Sequence, residues 1–307
     1  MRVLFVGAGA IGGYFGGRML QAGRDVTFLV RPRRASELAA AGLVIKSPNG
    51  DVTLKNPPVV QADTIKDKFD VVLLSCKAYD LDDAVKSFAP AVGERTAIIP
   101  LLNGMRHMDV LTARFGAKSV VGGVVKCATT LDKDGRILQL AGFQDLAYGE
   151  RDGKPSPRMT ALDAFMQGAG FDARLTPHIA REMWEKWLML ASIGAICCTM
   201  RGTVGDVVAA PGGLDFIQGV IGEVVAIINA VGVAPSAEAV ARITANLTQA
   251  GSKQSPSMYR DLVQGLPVEG DAIVGDMVLR GQKAGIAAPL LAAAATHLAV
   301  YSQRQVG

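Results

Sequence analysis

Residues 2–12 of the chain read RVLFVGAGAIG, a short apolar run followed at once by glycines at positions 7, 9 and 12. The run is typical of a strand buried on both faces, and residues 13–22 have the pattern of a helix. Between them, Gly7 permits a tight turn, Gly9 lets the backbone approach a pyrophosphate, and Gly12 lets the helix pack against the strand. The stretch predicts a dinucleotide-binding turn, in preference to a purely structural one, formed by Gly7, Ala8, Gly9, Ala10, Ile11 and Gly12.

Outward from this turn, apolar runs recur through the first half of the chain. They lie at 26–30, 71–75, 97–102 and 120–125, with helical segments between them. Residues 43–54 alternate around a turn at 48–50, and residues 137–150 read as short strands and turns. Apolar strands separated by helices form a parallel sheet that is covered on both faces.

Beyond Pro177 the strand pattern ends, and only helical patterns follow, at 178–201, 213–232, 236–249 and 267–303. The predicted fold class is therefore α/β, with an N-terminal parallel-sheet domain and a C-terminal all-helical domain. We place the dinucleotide-binding domain at 1–175 and the helical domain, which would hold the substrate, at 176–307.

The composition limits the classes of function. The chain has 307 residues and a net charge of +4, and its basic residues are scattered, which argues against a nucleic-acid partner. The four cysteines show neither metal-ligand nor disulfide spacing, so we expect no metal and a cytoplasmic location. The start lacks the pattern of a secretory signal. The apolar runs are short, or interrupted as by Glu223, and predict no membrane segment.

The end of the second predicted strand indicates which dinucleotide binds. An NAD enzyme commonly has an acidic residue there, which accepts hydrogen bonds from the ribose hydroxyls. This chain has Arg31, followed by Arg33 and Arg34. A guanidinium suits a 2′-phosphate, and a carboxylate would repel it. The pattern favours NADP over NAD, although a solvated basic loop would have the same sequence.

Several polar residues are candidates for the chemistry. Lys77, Asn103 and Lys126 each follow a predicted strand, and the carboxyl ends of parallel strands face the ligand crevice. Lys186 lies in an apolar helix between two tryptophans, where an alternative is that its ammonium reaches solvent. Taken singly, each of these residues is equally compatible with a capping amide or a surface lysine.

Six motifs in order make the chain resemble the ketopantoate reductase family. They are GAGAIGG at 7–13, CKAYD at 76–80, LLNGM at 101–105, MWEKW at 183–187, PSMYRD at 256–261 and Glu269. The resemblance implies a Rossmann domain, a helical domain, and NADPH as the hydride donor that converts a 2-keto acid to a 2-hydroxy acid, as in pantothenate biosynthesis. It also implies site roles: Lys186 as general acid, Asn103 in contact with cofactor and substrate, Ser257 on the substrate, Glu269 at the nicotinamide ribose, and Lys77 and Ala128 beside the cofactor.

The chain departs from this family at two positions. Asparagines usually lie four and eight residues after the lysine and bind the substrate, whereas this chain has Leu190 and Gly194. We expect this face to be apolar and open, which favours a larger or more apolar 2-keto acid than ketopantoate. Arg201, Arg260 and Lys126 are candidates to bind the substrate carboxylate.

Alternative functions are a β-hydroxyacid or imine reductase, and a non-catalytic NADP-binding regulator. The sequence also leaves the oligomeric state open, including a homodimer.

Overall fold

The computed structural model describes residues 1–306 and divides the chain into two units. The first unit comprises Met1–Leu102 and His107–Ile179, and the second comprises Asn103–Arg106 together with the chain from Ala180 onward. Each unit contains a hydrophobic core of its own.

The first unit combines strands and helices. In chain order its elements are β1 (Val3–Val6), α1 (Ala10–Gln21), β2 (Val26–Leu29), α2 (Pro32–Ala41), β3 (Leu43–Lys46), β4 (Val52–Leu54), β5 (Val59–Val60), β6 (Val71–Leu74), α3 (Leu81–Phe88), β7 (Ala97–Pro100), α4 (Arg106–Phe115), β8 (Gly122–Leu131), β9 (Ile137–Gly149), α5 (Pro157–Met166) and β10 (Asp172–Leu175).

The parallel sheet expected from the apolar runs is confirmed. Its strand order is β5-β2-β1-β6-β7, and every pairing in it is parallel. All residues of β1, β6 and β7 are buried, because helices cover both faces of an all-parallel sheet. The three strands end at the same edge, and the polar residues that follow them therefore start from neighbouring positions.

The expectation that 120–125 adds another strand to this sheet is wrong. Only Val120 forms a parallel bridge, to Ile98. The chain then continues as β8, which pairs antiparallel with β9 in a second sheet of order β10-β9-β3-β4. Residues 137–150 also differ from the expected short strands, since β9 is one strand of 13 residues. The apolar run could not reveal this, because a buried strand has the same composition in either sheet.

Helix α1 contacts both sheets through glycines that have no room for a side chain. A Cβ on Gly16 would lie 2.5 Å from Phe28 of β2, and one on Gly17 would lie 2.8 Å from Leu43 and Ile45 of β3. The helix begins at Ala10, three residues before the predicted start. Its N-terminus therefore directly follows Gly9.

The second unit is helical throughout its described part, as the sequence predicts. Its elements are α6 (Ile179–Met200), α7 (Val204–Ala209), α8 (Gly213–Val231), α9 (Ala237–Leu247), α10 (Ser257–Val263), α11 (Asp276–Lys283) and α12 (Pro289–Val306). The pattern at 267–303 is not continuous, because a π-helical turn at Asp271–Gly275 precedes α11, and Gly285, at φ 71°, separates α11 from α12. Helices α7 and α10 are missing from the prediction, since both are short, and α10 lies between Pro256 and Gly265.

Helix α8 has the length and apolar composition of a membrane span, with a mean hydropathy of 1.7 over its most apolar window. One side of the helix packs in the second core through Ile217, Val220 and Val224. The carboxylate of Glu223 accepts hydrogen bonds from the backbone N–H groups of Leu290 and Leu291, at 3.0 and 2.8 Å. Glu223 thus caps the start of α12, which explains a charged residue in this apolar helix.

Candidate active site

The glycine turn after β1 is built around a close contact with β6. Gly7 has a φ of +97°, which favours glycine. A Cβ on Gly12 would lie 2.1 Å from Ser75 Oγ and 2.3 Å from the Gly7 carbonyl oxygen. The Ser75 hydroxyl, just after β6, donates to the carbonyl of Val6 at 2.9 Å. Packing within the chain therefore requires glycine at position 12.

Gly9 is different, because packing within the chain does not require a glycine at this position. A Cβ there would meet nothing within 4 Å, and the residue has an ordinary negative φ of −83°. Gly9 is the N-cap of α1, where no side chain caps the helix and no acidic residue lies in the first turn. The helix N-terminus thus presents uncapped N–H groups beside free space, an arrangement that suits a phosphate.

The arginines after β2 have different surroundings. Arg31 is the N-cap of α2, and its exposed guanidinium donates from Nη2 to Asp80 Oδ1 at 2.6 Å. This hydrogen bond raises the pKa of Arg31, as does the charge of Asp80. Arg34 turns back instead: its Nε donates to the carbonyl of Ala8 in the glycine turn at 3.1 Å. Arg33 is almost fully exposed and pairs with Glu37 at 2.9 Å.

The other predicted cofactor residues of the first unit lie at different places. Lys77 is exposed and precedes a 3-10 turn at Ala78–Asp80. Ala128 is half-buried and lies in β8. Lys126 is not at the end of a strand of the parallel sheet, as expected, but within β8 opposite Asp145. Strand β8 has ten residues and belongs to the second sheet. Lys126 therefore does not lie at the carboxyl end of a parallel strand, and the argument from that position fails.

Three predicted site segments meet at the indole of Trp187 in the second unit. Trp187 is 1% exposed, and its Nε1 donates to the carbonyl of Ile273 at 2.8 Å. Gly104, directly after Asn103, has a φ of +80°, and a Cβ on it would lie 2.5 Å from the Ala272 carbonyl oxygen and 4.0 Å from Trp187 Nε1. The loop with Asn103, the helix with Lys186 and the turn after Glu269 are therefore neighbours.

The charged residues of this cluster are partly or wholly removed from solvent. Glu269 is 8% exposed, and its backbone carbonyl accepts from the N–H of Ile273 at 3.0 Å. Lys186 is half-buried on α6 and directly precedes Trp187 in the chain. A lysine ammonium and a buried carboxylate are both residue types that can take part in proton transfer.

The face of α6 that follows Lys186 is apolar, as expected, but it is not open at position 194. A Cβ on Gly194 would lie 2.5 Å from the terminal methyl of Met258, which is itself 3% exposed. Leu190 packs against the second core. Ser257, the first residue of α10, is exposed beside Met258. The methionine therefore fills the space that a side chain at 194 would occupy, a contact that sequence spacing could not reveal.

The two arginines that are candidates for carboxylate binding differ in their contacts, because the Arg260 guanidinium is bonded to the backbone, while Arg201 takes part through its own carbonyl. Arg260 Nη1 donates to the Ser255 carbonyl at 2.9 Å. Arg201 has a φ of 57°, and its carbonyl accepts from the hydroxyl of Tyr259 at 2.7 Å. The thiols offer no nucleophile in this unit, because burial raises the pKa of both Cys197 and Cys198 to about 12.

A parallel sheet with a glycine-rich turn, together with a helical unit that carries a lysine, is typical of dinucleotide-dependent oxidoreductases. Residues 3–153 match the family described as Ketopantoate reductase PanE/ApbA, and residues 178–302 match its C-terminal part. The chain belongs to the ketopantoate reductase family and is an oxidoreductase acting on CH–OH groups. Membership supports a nicotinamide cofactor.

Similar proteins span the whole chain. The protein named uncharacterized oxidoreductase YkpB of Bacillus subtilis (strain 168) is 32% identical over 301 residues, which are 98% of this chain and 99% of the relative. A 2-dehydropantoate 2-reductase of Streptococcus pyogenes serotype M6 is 27% identical, with 94% of each chain covered. The crystal structure of 2-dehydropantoate 2-reductase from Geobacter metallireducens GS-15 has 29% identity and a TM-score of 0.86, with 98% of this chain and 99% of that chain covered.

We expect substitution of Gly12 to affect stability and substitution of Gly9 to affect cofactor binding. Gly12→Ala places a Cβ against Ser75 and the Gly7 backbone, and should lower the free energy of unfolding by about 1–3 kcal/mol. Gly9→Ser places its side chain in free space at an N-cap, where serine is favoured, so stability should be kept. The same hydroxyl would occupy the phosphate position and weaken dinucleotide binding by roughly tenfold or more. Thermal unfolding and cofactor titration measure both effects; a Gly9→Ser protein with native cofactor affinity would contradict the assignment.

Proposed function

We propose that the protein reduces a 2-keto acid to a 2-hydroxy acid with NADPH, as a 2-dehydropantoate 2-reductase or a close relative with a shifted substrate. The observation that carries this proposal is the meeting of the Asn103 loop, the Lys186 helix and the Glu269 turn around Trp187. It supplies an ammonium, an amide and a buried carboxylate within one helical unit. A family member with this set has the groups that reduction of a ketone needs.

The glycine turn and its surroundings fit a phosphorylated dinucleotide. Gly9 leaves room for the pyrophosphate at the start of α1. The exposed guanidinium of Arg31 lies just after β2, where the ribose of the adenine half is bound in this fold. Arg34 donates to Ala8 and so steadies the turn while adding positive charge there. We therefore assign NADP(H), with Lys77, Asn103, Ala128 and Glu269 as further contacts.

When it is bound, the nicotinamide supplies a hydride to the ketone carbon of the substrate. Negative charge then develops on the ketone oxygen, and the Lys186 ammonium stabilises this charge and donates a proton from Nζ. The buried carboxylate of Glu269 would oppose the charge of this lysine and would hold the nicotinamide ribose by accepting a hydrogen bond from it. Asn103 orients the ketone, and Ser257 donates its hydroxyl to the substrate. NADPH oxidation followed with a panel of 2-keto acids tests the reaction; cofactor binding without turnover of any of them would favour a regulator.

The NADP assignment predicts opposite changes at two paired residues. Arg31→Asp should weaken NADPH binding by roughly tenfold or more, since attraction to the 2′-phosphate becomes repulsion. Asp80→Asn should tighten NADPH binding by up to about fivefold, because it releases Arg31 from an exposed ion pair worth about 0–1 kcal/mol. NADH binding should change little in Asp80→Asn and should not weaken in Arg31→Asp, because a carboxylate at position 31 can accept hydrogen bonds from the ribose hydroxyls.

The matched control is Asp83→Asn, which removes a nearby exposed carboxylate that acts on Arg31 through its charge and lies 3.9 Å from the ammonium of Lys86. Dissociation constants for both cofactors provide the measurement. A native protein that binds NADPH and NADH equally well would show that Arg31 does not select the cofactor.

The proton-donor role of Lys186 predicts a loss of turnover without a loss of cofactor. Lys186→Ala should lower kcat by about 10²–10⁴, the usual contribution of a positioned acid. NADPH affinity should remain near the native value. Lys283→Ala, at the exposed end of α11, is the control. If Lys186→Ala retained a near-native kcat with the best substrate, the lysine would be structural only.

The apolar face after Lys186 favours a substrate with an unhydroxylated side chain. Leu190 and Met258 offer no hydrogen bond to the hydroxyl of ketopantoate, and they can pack against carbon. An unpaired buried hydroxyl costs roughly 1–3 kcal/mol, or one to two powers of ten in kcat/KM. We therefore infer that a 2-keto acid with a longer aliphatic chain is the better substrate.

This inference predicts the outcome of competition between ketopantoate and 4-methyl-2-oxopentanoate. The native enzyme should prefer the aliphatic acid, and Leu190→Asn with Gly194→Asn should shift the preference towards ketopantoate. Because Met258 fills the space at 194, adding Met258→Ala should enlarge that shift. Met258→Ala alone is the control for the loss of volume. A native enzyme with a large preference for ketopantoate would show that other residues bind the hydroxyl.

A further inference from the structure

The ring and the N–H of Trp187 make different kinds of contact. The ring is buried in the second core and lies 5.3 Å from the ring of Trp184, centroid to centroid. The N–H, in contrast, makes one directed contact, with the carbonyl of Ile273 at 2.8 Å. That carbonyl lies in the π-helical turn Asp271–Gly275, where the N–H of Asp276 bonds to the carbonyl of Asp271.

A π-helical turn is a rare departure from the α-helix that occurs frequently at functional sites. In this turn, Ile273 takes part in two consecutive hydrogen bonds. Ile273 accepts from Trp187 through its carbonyl and donates through its N–H to the carbonyl of Glu269, at 3.0 Å. The indole is thus two hydrogen bonds away from the backbone of the buried glutamate.

The loop after β7 rests on the same turn. Gly104 approaches the carbonyl of Ala272 so closely that no side chain fits there, and its positive φ of +80° fixes the path of the chain after Asn103. Arg106 adds a bond to Asp271 at 3.1 Å, but both side chains are exposed and contribute little. On the other side, the guanidinium of Arg280 lies over the Trp187 ring, 5.5 Å from its centroid, and bonds to Asp276 at 3.0 Å.

We propose that Trp187 is the positioning residue of the active site, and that its N–H fixes the turn against which Glu269 and Asn103 are placed. It follows Lys186 directly in the sequence, so one residue of α6 links the proton donor to the other two groups. This proposal rests on the proposed function. Its physical basis is that reacting groups must be held within a fraction of an ångström, and a misplacement of about 1 Å can cost on the order of 10² in rate.

The experiment removes the N–H while the ring remains. Replacing Trp187 by 3-benzothienylalanine does this, because it keeps the fused ring and lacks only the N–H. Trp187→Phe removes the N–H together with part of the ring volume, for which the Trp184→Phe control corrects. Either protein should fold with a native circular dichroism spectrum. We expect kcat to fall by about tenfold or more, with a smaller change in KM for the keto acid.

Trp184→Phe is the matched control, because Trp184 lies on the same helix, is buried to a similar extent at 7% exposure, and packs through its ring against Gly232. It should lose stability to a similar degree as Trp187→Phe, yet keep kcat within about twofold, since it removes volume and no backbone contact of the turn. Equal losses of kcat in the two tryptophan variants, or a native kcat in the benzothienylalanine protein, would overturn the proposal.

Hydrogen exchange gives a readout that does not depend on activity. Loss of the N–H should speed amide exchange at 269–275 and 103–106, and leave the rest of the second core unchanged. Unchanged exchange in both segments would contradict the role of Trp187. A native protein that reduces no keto acid would instead contradict the proposed function, while the exchange result would still decide whether Trp187 holds the turn.

Discussion

The nucleotide-binding half depends on one close approach, between the backbone at Gly12 and Ser75 at the end of β6. No side chain fits at position 12, so α1 can come down onto β1 and β6 only with glycine there. This contact fixes where α1 begins and leaves Gly9 beside free space. A stable sheet and an accessible helix N-terminus follow from the same few residues, one glycine serving the packing and the other leaving room for a phosphate.

In the helical unit, the packing and hydrogen bonding of Trp187 have the role that the Gly12–Ser75 contact has in the first unit. Its ring belongs to the core, and its N–H joins α6 to the π-helical turn after Glu269. Backbone carbonyls and this indole hold the segments together, and the ion pairs Arg106–Asp271 and Arg280–Asp276 lie at the same turn. The buried hydrogen bonds contribute more to the frame than the exposed pair Arg106–Asp271, because an exposed ion pair contributes little.

Much of this was accessible from the sequence, because glycine spacing and apolar periodicity reflect local constraints. The parallel sheet, the glycine turn and most helices of the second unit follow from them. Three features do not. The run at 120–125 enters a different sheet, and composition is the same in both. Met258 fills the space beside Gly194, a contact between α10 and α6. Asp80 pairs with Arg31 across 49 residues. Each depends on tertiary contacts between segments far apart in sequence, which periodicity does not encode.

The central claim is that hydride passes from NADPH to the carbonyl carbon of a 2-keto acid. Single-turnover reduction with NADPH deuterated at either face of C4, followed by mass spectrometry of the product, tests it most directly. The account predicts a 2-hydroxy acid with one deuterium at C2, from one of the two labelled cofactors only. A product without deuterium from either cofactor, or oxidation of NADPH with no hydroxy acid formed, would contradict it.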